Sequence, residues 1–375
     1  MDLAAARETF ESSQDLTVGI EEEWAIVDPE TLELVPRFET LLTAGTRDPV
    51  LSEAISGELI SSEIEIRSGR GEDIAHARSL QREARRRLFA LAEAHGVALG
   101  ATGTHPLSDY REQHIIDTEH YHRVQEGLKY VAWRNNTFAL QVHVGVRGAD
   151  RAVQACDRLR PVLPLLLAIS ANSPFLDGRD SGLHSARTQI FTKSFPRCGI
   201  PDVYGDWATW RDYVELLVRT NSIVEFTQLW WSVRPHHAYG TIEVRICDAQ
   251  TTGPEADALA ELIVACVAQA LREIDAGETP PDLPRRLIEE NVWRALRYGQ
   301  DGRLLDLEAP RIEEYPASEA IDRLKAWTGA DVTFPELNGA QRQRRMIDAG
   351  ASPYEVFRQC VEETRATYPA QEIVP

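Results

Sequence analysis

Four segments of the chain alternate apolar side chains with acidic, basic, amide or imidazole side chains at every second position. They are residues 17–27 (TVGIEEEWAIV), 58–67 (ELISSEIEIR), 138–146 (FALQVHVGV) and 240–247 (GTIEVRIC). Because successive side chains of a β-strand point to opposite faces, this period predicts four strands, each with one apolar and one polar face. If the four strands share a sheet, helices can cover its apolar face while the other face collects ionisable groups.

The polar face of this sheet would carry several carboxylates beside one imidazole and one guanidinium. Its members by parity are Glu21, Glu23, Glu63, Glu65, Gln141, His143, Thr241, Glu243 and Arg245. A single strand with a solvated acidic face is common, but Glu is a poor strand former, and four such strands together indicate a functional site. Carboxylates this close repel one another without cations, so the pattern predicts a metal-binding sheet. Glu22 falls on the apolar parity, where we expect it to pair with a buried arginine.

The order of the predicted elements indicates an α+β fold. The strands come early, residues 255–368 are mostly helical, and the Gly- and Pro-containing stretch 175–201 predicts a long, functional loop. We therefore expect an antiparallel sheet with helices packed on one face and an open metal-binding cleft on the other. No Gly/Ser-rich or Pro-rich linker divides the chain, so we expect a single domain over residues 1–375.

The formal net charge of −19 argues against a nucleic-acid partner, because binding to phosphate backbones depends on clustered Lys and Arg. The one basic run consists of Arg82, Arg85, Arg86 and Arg87. It lies in a segment whose apolar residues recur at helical spacing, so we interpret it as the solvated face of a helix.

The sequence also predicts a cytoplasmic location. Its five cysteines form no CxxC pair, which fits reduced thiols better than a disulfide framework. Residues 1–15 have neither the basic start nor the apolar core of a signal peptide. The longest apolar run, residues 162–169, is too short to span a bilayer, so we expect no membrane association.

A cage of several Glu and one His suits Mg²⁺ or Mn²⁺, hard cations that prefer oxygen ligands, and argues against structural zinc. Mg²⁺ is usually held by one or two carboxylates plus substrate phosphates, so this many acids predicts more than one ion and a phosphorylated substrate such as ATP. The chain has neither a GxxxxGK[ST] loop nor a GxGxxG fingerprint, so metal ions and arginines would hold ATP. Arg245, beside Glu243, is predicted to meet a transferring phosphoryl group.

Seven motifs extend the pattern over nearly the whole chain. In order they are TVGIEEEW, ATGTHP, LQVHVG, SANSPF, RTQIF with FPRCGIP, WWSVRPH and GTIEVRICD. Together they resemble the carboxylate–amine ligase family, also called glutamate–cysteine ligase type 2, of the glutamine synthetase-like superfamily. The resemblance implies an antiparallel sheet folded into a metal cage, and amide bond formation through an acyl phosphate.

The resemblance also implies roles for individual residues. The implied metal ligands are Glu21, Glu23, Glu58, Glu65, His143 and Glu243. Glu243 and Arg245 would form the catalytic pair that binds metal and phosphate. Glu58 has the opposite parity to Glu65 and would need a turn or bulge to join it. Arg187, Arg197 and Arg234 are candidates, with Arg245, for the substrate carboxylate or the ATP phosphates. The family often has histidine where this chain has Gln141, so the acceptor amine stays open.

These observations predict an ATP-dependent ligase that phosphorylates the γ-carboxylate of glutamate and condenses it with an amine such as cysteine, releasing ADP and phosphate. Two other functions stay open. A two-metal hydrolase would turn over without ATP, and a catalytically silent nucleotide- or metabolite-binding protein would bind nucleotide without releasing ADP. All three functions need only small-molecule partners, and a homodimer is compatible with each.

Overall fold

The structure is a computed structural model that describes residues 3–367, so the two ends of the predicted 1–375 domain lie outside the described residues. The α-helices of this part are α1 (Leu3–Glu11), α2 (Phe38–Gly45), α3 (Leu51–Ala54), α4 (Ile74–Ala94), α5 (Glu119–Leu128), α6 (Ala149–Leu159), α7 (Leu163–Ser170), α8 (Ala186–Ser194), α9 (Trp207–Arg219), α10 (Gly253–Asp275), α11 (Arg285–Tyr298), α12 (Ala320–Thr328), α13 (Gly339–Asp348) and α14 (Pro353–Thr367). The strands are β1 (Val18–Val27), β2 (Ile55–Ser56), β3 (Glu63–Arg67), β4 (Ala98–Gly100), β5 (Ala139–Gly145), β6 (Phe175–Leu176), β7 (Arg179–Asp180), β8 (Cys198–Gly199), β9 (Trp230–Trp231), β10 (Val233–His236), β11 (Thr241–Asp248), β12 (Arg303–Asp306) and β13 (Glu313–Pro316).

One seven-stranded antiparallel sheet organises the fold. Its order is β10-β11-β5-β1-β3-β2, and β4 pairs with the end of β1. The four strands predicted from alternation are β1, β3, β5 and β11. They are neighbours in the sheet, in the order β11-β5-β1-β3. The predicted polar positions therefore lie on one face of a single sheet.

The apolar parity of the strands packs against helices as predicted. Ile20, Trp24 and Ile26 of β1 are buried together with the apolar residues of β3, β5 and β11. Helices α4, α6 and α10 cover this face and contribute the apolar residues that complete the core. Residues 3–367 contain no helix that combines the length and apolar character needed to cross a bilayer.

Glu22 is the one acid of β1 on the apolar face, and a buried arginine of α4 pairs with it, as expected. Arg85 Nε donates to Glu22 Oε2, and Gln81 Nε2 donates to the same oxygen at 2.9 Å. Arg85 Nη1 also donates to Asp257 at 3.2 Å, so α4 is fixed to both the sheet and α10. The arrangement satisfies a buried carboxylate that would otherwise carry a large desolvation cost.

The interpretation of the whole basic run as a solvated face is therefore wrong for Arg85. Its side chain has no exposed surface, whereas the side chain of Arg82 is 55% exposed. Arg85 lies on the side of α4 that packs on the sheet, with Ala77, Ala84 and Leu88. Helical spacing predicted this side as apolar, and the carboxylates of Glu22 on the sheet and Asp257 on α10 account for a charge there.

The stretch 175–201 is not a continuous loop as predicted. It contains the short hairpin β6–β7, helix α8 and strand β8. Its start is anchored to the end of β11, because the Asp248 carboxylate accepts from the Asn172 amide N–H at 2.8 Å and from the Ser173 hydroxyl at 2.7 Å. The same carboxylate accepts from Ser185, the N-cap of α8, at 2.9 Å.

Candidate active site

Two groups of three side chains on the polar face of the sheet could each hold a metal ion. The first, called here the Glu21 triad, consists of Glu21, His143 and Glu243. The second, the Glu23 triad, consists of Glu23, Glu58 and Glu65. In each triad, one ligand atom per residue lies within 4.8 Å of the others. The six residues are the same six that the sequence suggested as metal ligands.

Strand register explains how the triads form. Glu21 and Glu23 are two residues apart on β1, so they share a face and each enters a different triad. Glu23 pairs with Glu65 across β1 and β3, and His143 pairs with Glu243 across β5 and β11. Directly paired side chains on one face have Cβ atoms about 5 Å apart, which places their carboxylate and imidazole atoms within reach of one ion.

Glu58 reaches the Glu23 triad from outside the strand. It follows β2, and a turn at residues 61–62 separates it from β3, so the parity counted along β3 does not extend to it. The Glu63 amide N–H donates to the Ile60 carbonyl at 3.1 Å and closes this turn. The structure therefore contains the turn that the sequence required before Glu58 could lie beside Glu65.

The Glu21 triad is held by positive charge and hydrogen bonds of the protein itself. The Thr241 hydroxyl lies 2.9 Å from His143 Nδ1, so Nε2 faces Glu21 and Glu243 at 3.4 Å and 3.9 Å. Burial opposes a charged imidazole, but the two carboxylates outweigh it and raise the pKa of His143. Burial alone would raise the pKa of Glu243, but Arg234 and Arg245 hold that pKa well below its usual range.

The Glu23 triad has less compensation, because Arg67 Nε lies 2.8 Å from Glu65 Oε1 but Glu23 and Glu58 have no ion-pair partner among the described residues. Burial, followed by the neighbouring Glu58 carboxylate, raises the pKa of Glu23 to about 7. Burial, followed by the charges of Glu21 and Glu58, raises the pKa of Glu65 well above its ordinary value. Three clustered carboxylates that share a single guanidinium are a donor set that a hard divalent cation stabilises, so these residues fit Mg²⁺ or Mn²⁺. The Glu21 triad adds one imidazole to the same oxygen-rich set.

Two of the four predicted arginines belong to the cage. Arg234 forms a two-pronged pair with Glu243, with Nε donating at 2.6 Å and Nη2 at 3.2 Å. Its Nη1 donates to the backbone carbonyls of Thr227 and Leu229 at 2.9 Å and 2.6 Å. Arg245 Nη1 contacts both Glu243 Oε1 and Gln141 Oε1, while its buried Nε has no hydrogen-bond partner among the described residues.

The other two arginines lie behind the cage. Arg187 is buried and donates to the carbonyls of Arg245 and Ile246 at 3.1 Å and 3.2 Å. These carbonyls lie in the stretch of β11 where the pairing with β5 shifts register, so Arg187 supports an irregular backbone. Arg197 donates to the Gln228 carbonyl at 3.2 Å and lies over the Trp230 ring. Neither arginine lines the cavity above the two triads.

This main cavity has a volume of about 450 Å³ and lies over both triads. Its floor is the polar face of the sheet, and its walls come from α5, α8 and residues 225–230. A second cavity of about 510 Å³ adjoins it. The two cavities share the lining residues Glu21, Arg67, His143, Ala238 and Tyr239. A ligand in either cavity would therefore reach the Glu21 triad.

Comparison with known proteins shows the family to which the chain belongs. The model of the family described as glutamate-cysteine ligase family 2 matches residues 17–368. The chain belongs to this family. A relative from Rubrobacter xylanophilus, provisionally named glutamate–cysteine ligase 2-2, is 36% identical over 373 residues, covering 97% of this chain and 95% of the relative. The glutamate–cysteine ligase of Natronomonas pharaonis is 35% identical over 353 residues, covering 93% and 95%. Membership identifies the chain as a ligase that joins a carboxylate to an amine.

Two solved ligases share the fold. A bifunctional glutathione synthetase from Pasteurella multocida matches with a TM-score of 0.66 at 12% identity, covering 98% of this chain and 54% of that protein, so the chain spans about half its length. A glutamate–cysteine ligase from Francisella tularensis, solved in complex with AMP, matches with a TM-score of 0.60 at 12% identity, covering 94% and 90%. These matches confirm the predicted α+β fold built on an antiparallel sheet.

Two residues near the triads, Arg67 and Glu63, had no predicted role. Arg67 Nε lies 2.8 Å from Glu65 Oε1, and Arg67 lines both cavities. Glu63 is almost fully buried, and neither of its carboxyl oxygens has a hydrogen-bond partner among residues 3–367. Burial, followed by the charges of Glu23 and Glu58, raises its pKa well above the ordinary value. Both residues share the parity of Glu65 on β3, so the alternation that found Glu65 was the signal for them too.

Proposed function

We propose that the protein is an ATP-dependent ligase that phosphorylates the γ-carboxylate of glutamate and joins it to an amine, releasing ADP and phosphate. The observation that carries this proposal is the pair of triads on one sheet face, with Arg245 beside them in the same cavity. A site with two cation positions and a guanidinium suits transfer of a phosphoryl group between two anions, which must approach each other despite their charge.

In this proposal, Glu23, Glu58 and Glu65 would hold one divalent ion, and Glu21, His143 and Glu243 a second. Bound there, Mg²⁺ or Mn²⁺ would neutralise phosphate charge and so allow the substrate carboxylate to approach. The fit rests on the oxygen-rich donor sets and on the raised pKa of Glu23, which has no ion-pair partner among the described residues.

The remaining residues orient this cage. Arg245 presents its guanidinium where negative charge grows on the transferred phosphoryl group. Arg234 holds Glu243 in one rotamer and keeps it ionised. Thr241 fixes the His143 ring through Nδ1, so that Nε2 can act as a ligand. In our proposal Arg187 and Arg197 affect substrates indirectly, through the backbone carbonyls that they bind.

The second cavity is the better candidate for the nucleotide. It is lined by Arg67 and Arg70 and by small Gly, Ser and Thr residues, which suit phosphate and ribose groups. It also reaches the Glu21 triad, so a nucleotide there would present its terminal phosphate to the main cavity. The amine and the glutamate would then share the main cavity.

Labelled glutamate tests the reaction class. Glutamate carrying ¹⁸O in its γ-carboxylate should deliver one labelled oxygen to inorganic phosphate, in an amount equal to the amide formed and to the ADP released. Hydroxylamine, a small nucleophile that needs no fitted pocket, should trap the acyl phosphate as a hydroxamate. Stoichiometric AMP, or amide formed without label in phosphate, would refute the proposal.

The same assay separates the two other functions. A two-metal hydrolase would cleave its substrate without ATP and form no hydroxamate. A silent binding protein would bind nucleotide but release no ADP in the presence of glutamate and hydroxylamine. The single domain, the cytoplasmic location, the homodimer and the lack of a nucleic-acid partner stay predictions.

A further inference from the structure

A third cavity, of about 400 Å³, is lined by residues of α8, β8 and α11. Its described lining residues include none that lines the main or the second cavity. Helix α8 contributes to two cavities, since Phe191 lines the main cavity whereas Thr192 and Lys193 line the third. The proposed ligase reaction assigns no role to the third cavity, so its chemistry can be argued independently of that reaction.

Two cations that line the third cavity have no partner. The side chains of Lys193 on α8 and Arg286 on α11 are exposed and form no ion pair or hydrogen bond among residues 3–367. The acids of the cavity, Glu289 and Glu290, are each paired with an arginine of α11 at 2.9 Å. In a chain with a formal net charge of −19, two unpaired cations at one cavity form a local site for an anion.

Ser232 adds a hydrogen-bonding group to the cavity. It lines the cavity with only 5% of the residue exposed, and its hydroxyl has no hydrogen-bond partner among the described residues. Its backbone is held on both sides, because its amide N–H donates to the Gly199 carbonyl at 2.8 Å and its carbonyl accepts from the Arg245 N–H at 2.9 Å. Buried hydroxyls in native proteins normally have a partner, so this free hydroxyl suits a polar ligand.

Part of the third cavity is apolar. Ile200, Val292 and Leu296 line it, and so does Trp293, which is 44% exposed. An indole ring left this exposed beside apolar side chains offers contact area to a ligand with an apolar body. A purely hydrophilic anion would leave this surface unused.

We propose that the third cavity binds a phosphate monoester with an apolar body. Its phosphate, which carries a charge of about −1.5 to −2 at pH 7, would pair with Lys193 and Arg286 and accept from the Ser232 hydroxyl. Arginine presents a planar fork of donors and lysine a compact charge, and both suit phosphate oxygens. The apolar body would lie against Trp293. A monocarboxylate would offer only one charge to the two cations, so phosphate is the better match.

Phenyl phosphate is the probe that tests this proposal. Its binding is measured by isothermal titration calorimetry in EDTA, without glutamate or nucleotide, so the result does not depend on the ligase function. Inorganic phosphate, which lacks the ring, and phenylacetate, which carries a single charge, are compared with it. We expect phenyl phosphate to bind about tenfold more tightly than either compound. Absence of phenyl phosphate binding, or equal or tighter binding of inorganic phosphate or phenylacetate, would overturn the proposal.

Single substitutions locate the bound probe. Lys193→Gln and Arg286→Gln should each weaken phenyl phosphate binding about fivefold, because each removes one exposed charge from the site. Ser232→Ala should weaken it by about the same factor through loss of one hydrogen bond. Trp293→Ala should remove most of the advantage of phenyl phosphate over inorganic phosphate, since the ring loses its contact surface.

Arg67→Gln is the matched control, because it also removes one positive charge but from a residue that lines the main and second cavities. It should leave the affinity for phenyl phosphate unchanged. If Arg67→Gln weakens binding and the variants of the third cavity do not, phenyl phosphate occupies the candidate active site and the proposal is overturned.

Discussion

The two triads lie side by side on one sheet face, yet the protein treats their charges in opposite ways. The Glu21 triad receives positive charge from His143, Arg234 and Arg245, and the pKa of Glu243 is well below its usual range. The Glu23 triad collects three carboxylates beside one arginine, Arg67, and the pKa of Glu23 rises to about 7. One candidate cation position is therefore largely charge-compensated before any ion binds, whereas the other, in which Arg67 pairs only with Glu65, leaves most of its negative charge for an ion to balance.

This difference suggests a division of labour. A site compensated by fixed arginines keeps its geometry whatever the metal concentration, so it can position phosphate oxygens reproducibly. A site of mutually repelling acids gains the most from an ion, and its affinity for the ion rises as its carboxylates lose their protons. Both properties follow from which side chains the register of β1, β3, β5 and β11 brings together.

The largest effect is expected from removing the built-in counter-charge of the Glu21 triad. Arg234→Met leaves the Glu243 carboxylate buried without its two-pronged partner and should lower the free energy of unfolding by about 3–5 kcal/mol. Arg123→Met on α5, which removes an exposed pair with Glu119, is the control and should cost less than about 1 kcal/mol. Urea unfolding measures both. Equal stability of the two variants would show that the arginine does not compensate the triad.

Arg245→Lys should separate charge from geometry at the same triad. The lysine keeps the positive charge but loses the planar guanidinium that contacts Glu243 and Gln141, so turnover should fall about a hundredfold while the affinity for Mg²⁺–ATP changes little. Single-turnover kinetics and nucleotide titration measure the two quantities. Near-normal turnover would remove Arg245 from the mechanism.

The Glu23 triad should make the stability of the folded protein depend on pH. The pKa of Glu23 is raised to about 7 in the folded protein, so its contribution to stability is complete below its ordinary value of 4.5 and is lost as the pH rises through about 7. In EDTA, the free energy of unfolding of Glu23→Gln, measured relative to that of the wild type, should therefore rise by about 1–3 kcal/mol from pH 5 to pH 8. Glu119→Gln, at an exposed position, is the control. A pH-independent difference would mean that Glu23 is not strained.

The smallest effect on activity is expected from changing Arg187, which lies behind the two triads. Arg187→Lys can keep only part of the contacts with the Arg245 and Ile246 carbonyls, so the β11 backbone that carries Arg245 should loosen. We expect kcat to fall about tenfold with little change in KM for glutamate, because a positioning residue acts on the chemical step. A large rise in KM with unchanged kcat would instead show that Arg187 binds the substrate carboxylate directly.

Most of the sheet and five of the six candidate ligands could be predicted from period-2 alternation, because Glu21, Glu23, Glu65, His143 and Glu243 all lie within regular strands. Once a strand is located, the odd or even position of a residue specifies the sheet face on which its side chain lies. Glu58 came only from resemblance, since the turn between it and β3 interrupts the parity, and the Ser61 and Ser62 of that turn are weaker turn signals than Gly or Pro.

The aromatic residues that line the main cavity could not be predicted in the same way. Phe191 and Phe195 lie on or just beyond α8, a helix inside a stretch whose Gly and Pro residues suggested a loop. Phe226 and Trp230 lie in a short 3-10 turn and a two-residue strand, which are too short for any period to appear. Similarly, the pairing of Arg85 with Glu22 depends on which helix packs over β1, and that is a property of the tertiary fold.

The central claim is that two cation positions lie on one sheet face and that one of them depends on acids alone. Counting bound Mn²⁺ by electron paramagnetic resonance at pH 8, with nucleotide and glutamate absent and then present, tests it most directly. The account predicts two ions per wild-type chain, one for Glu23→Gln, and two for the control Arg123→Met. A single ion in the wild type, or an unchanged count in Glu23→Gln, would contradict it.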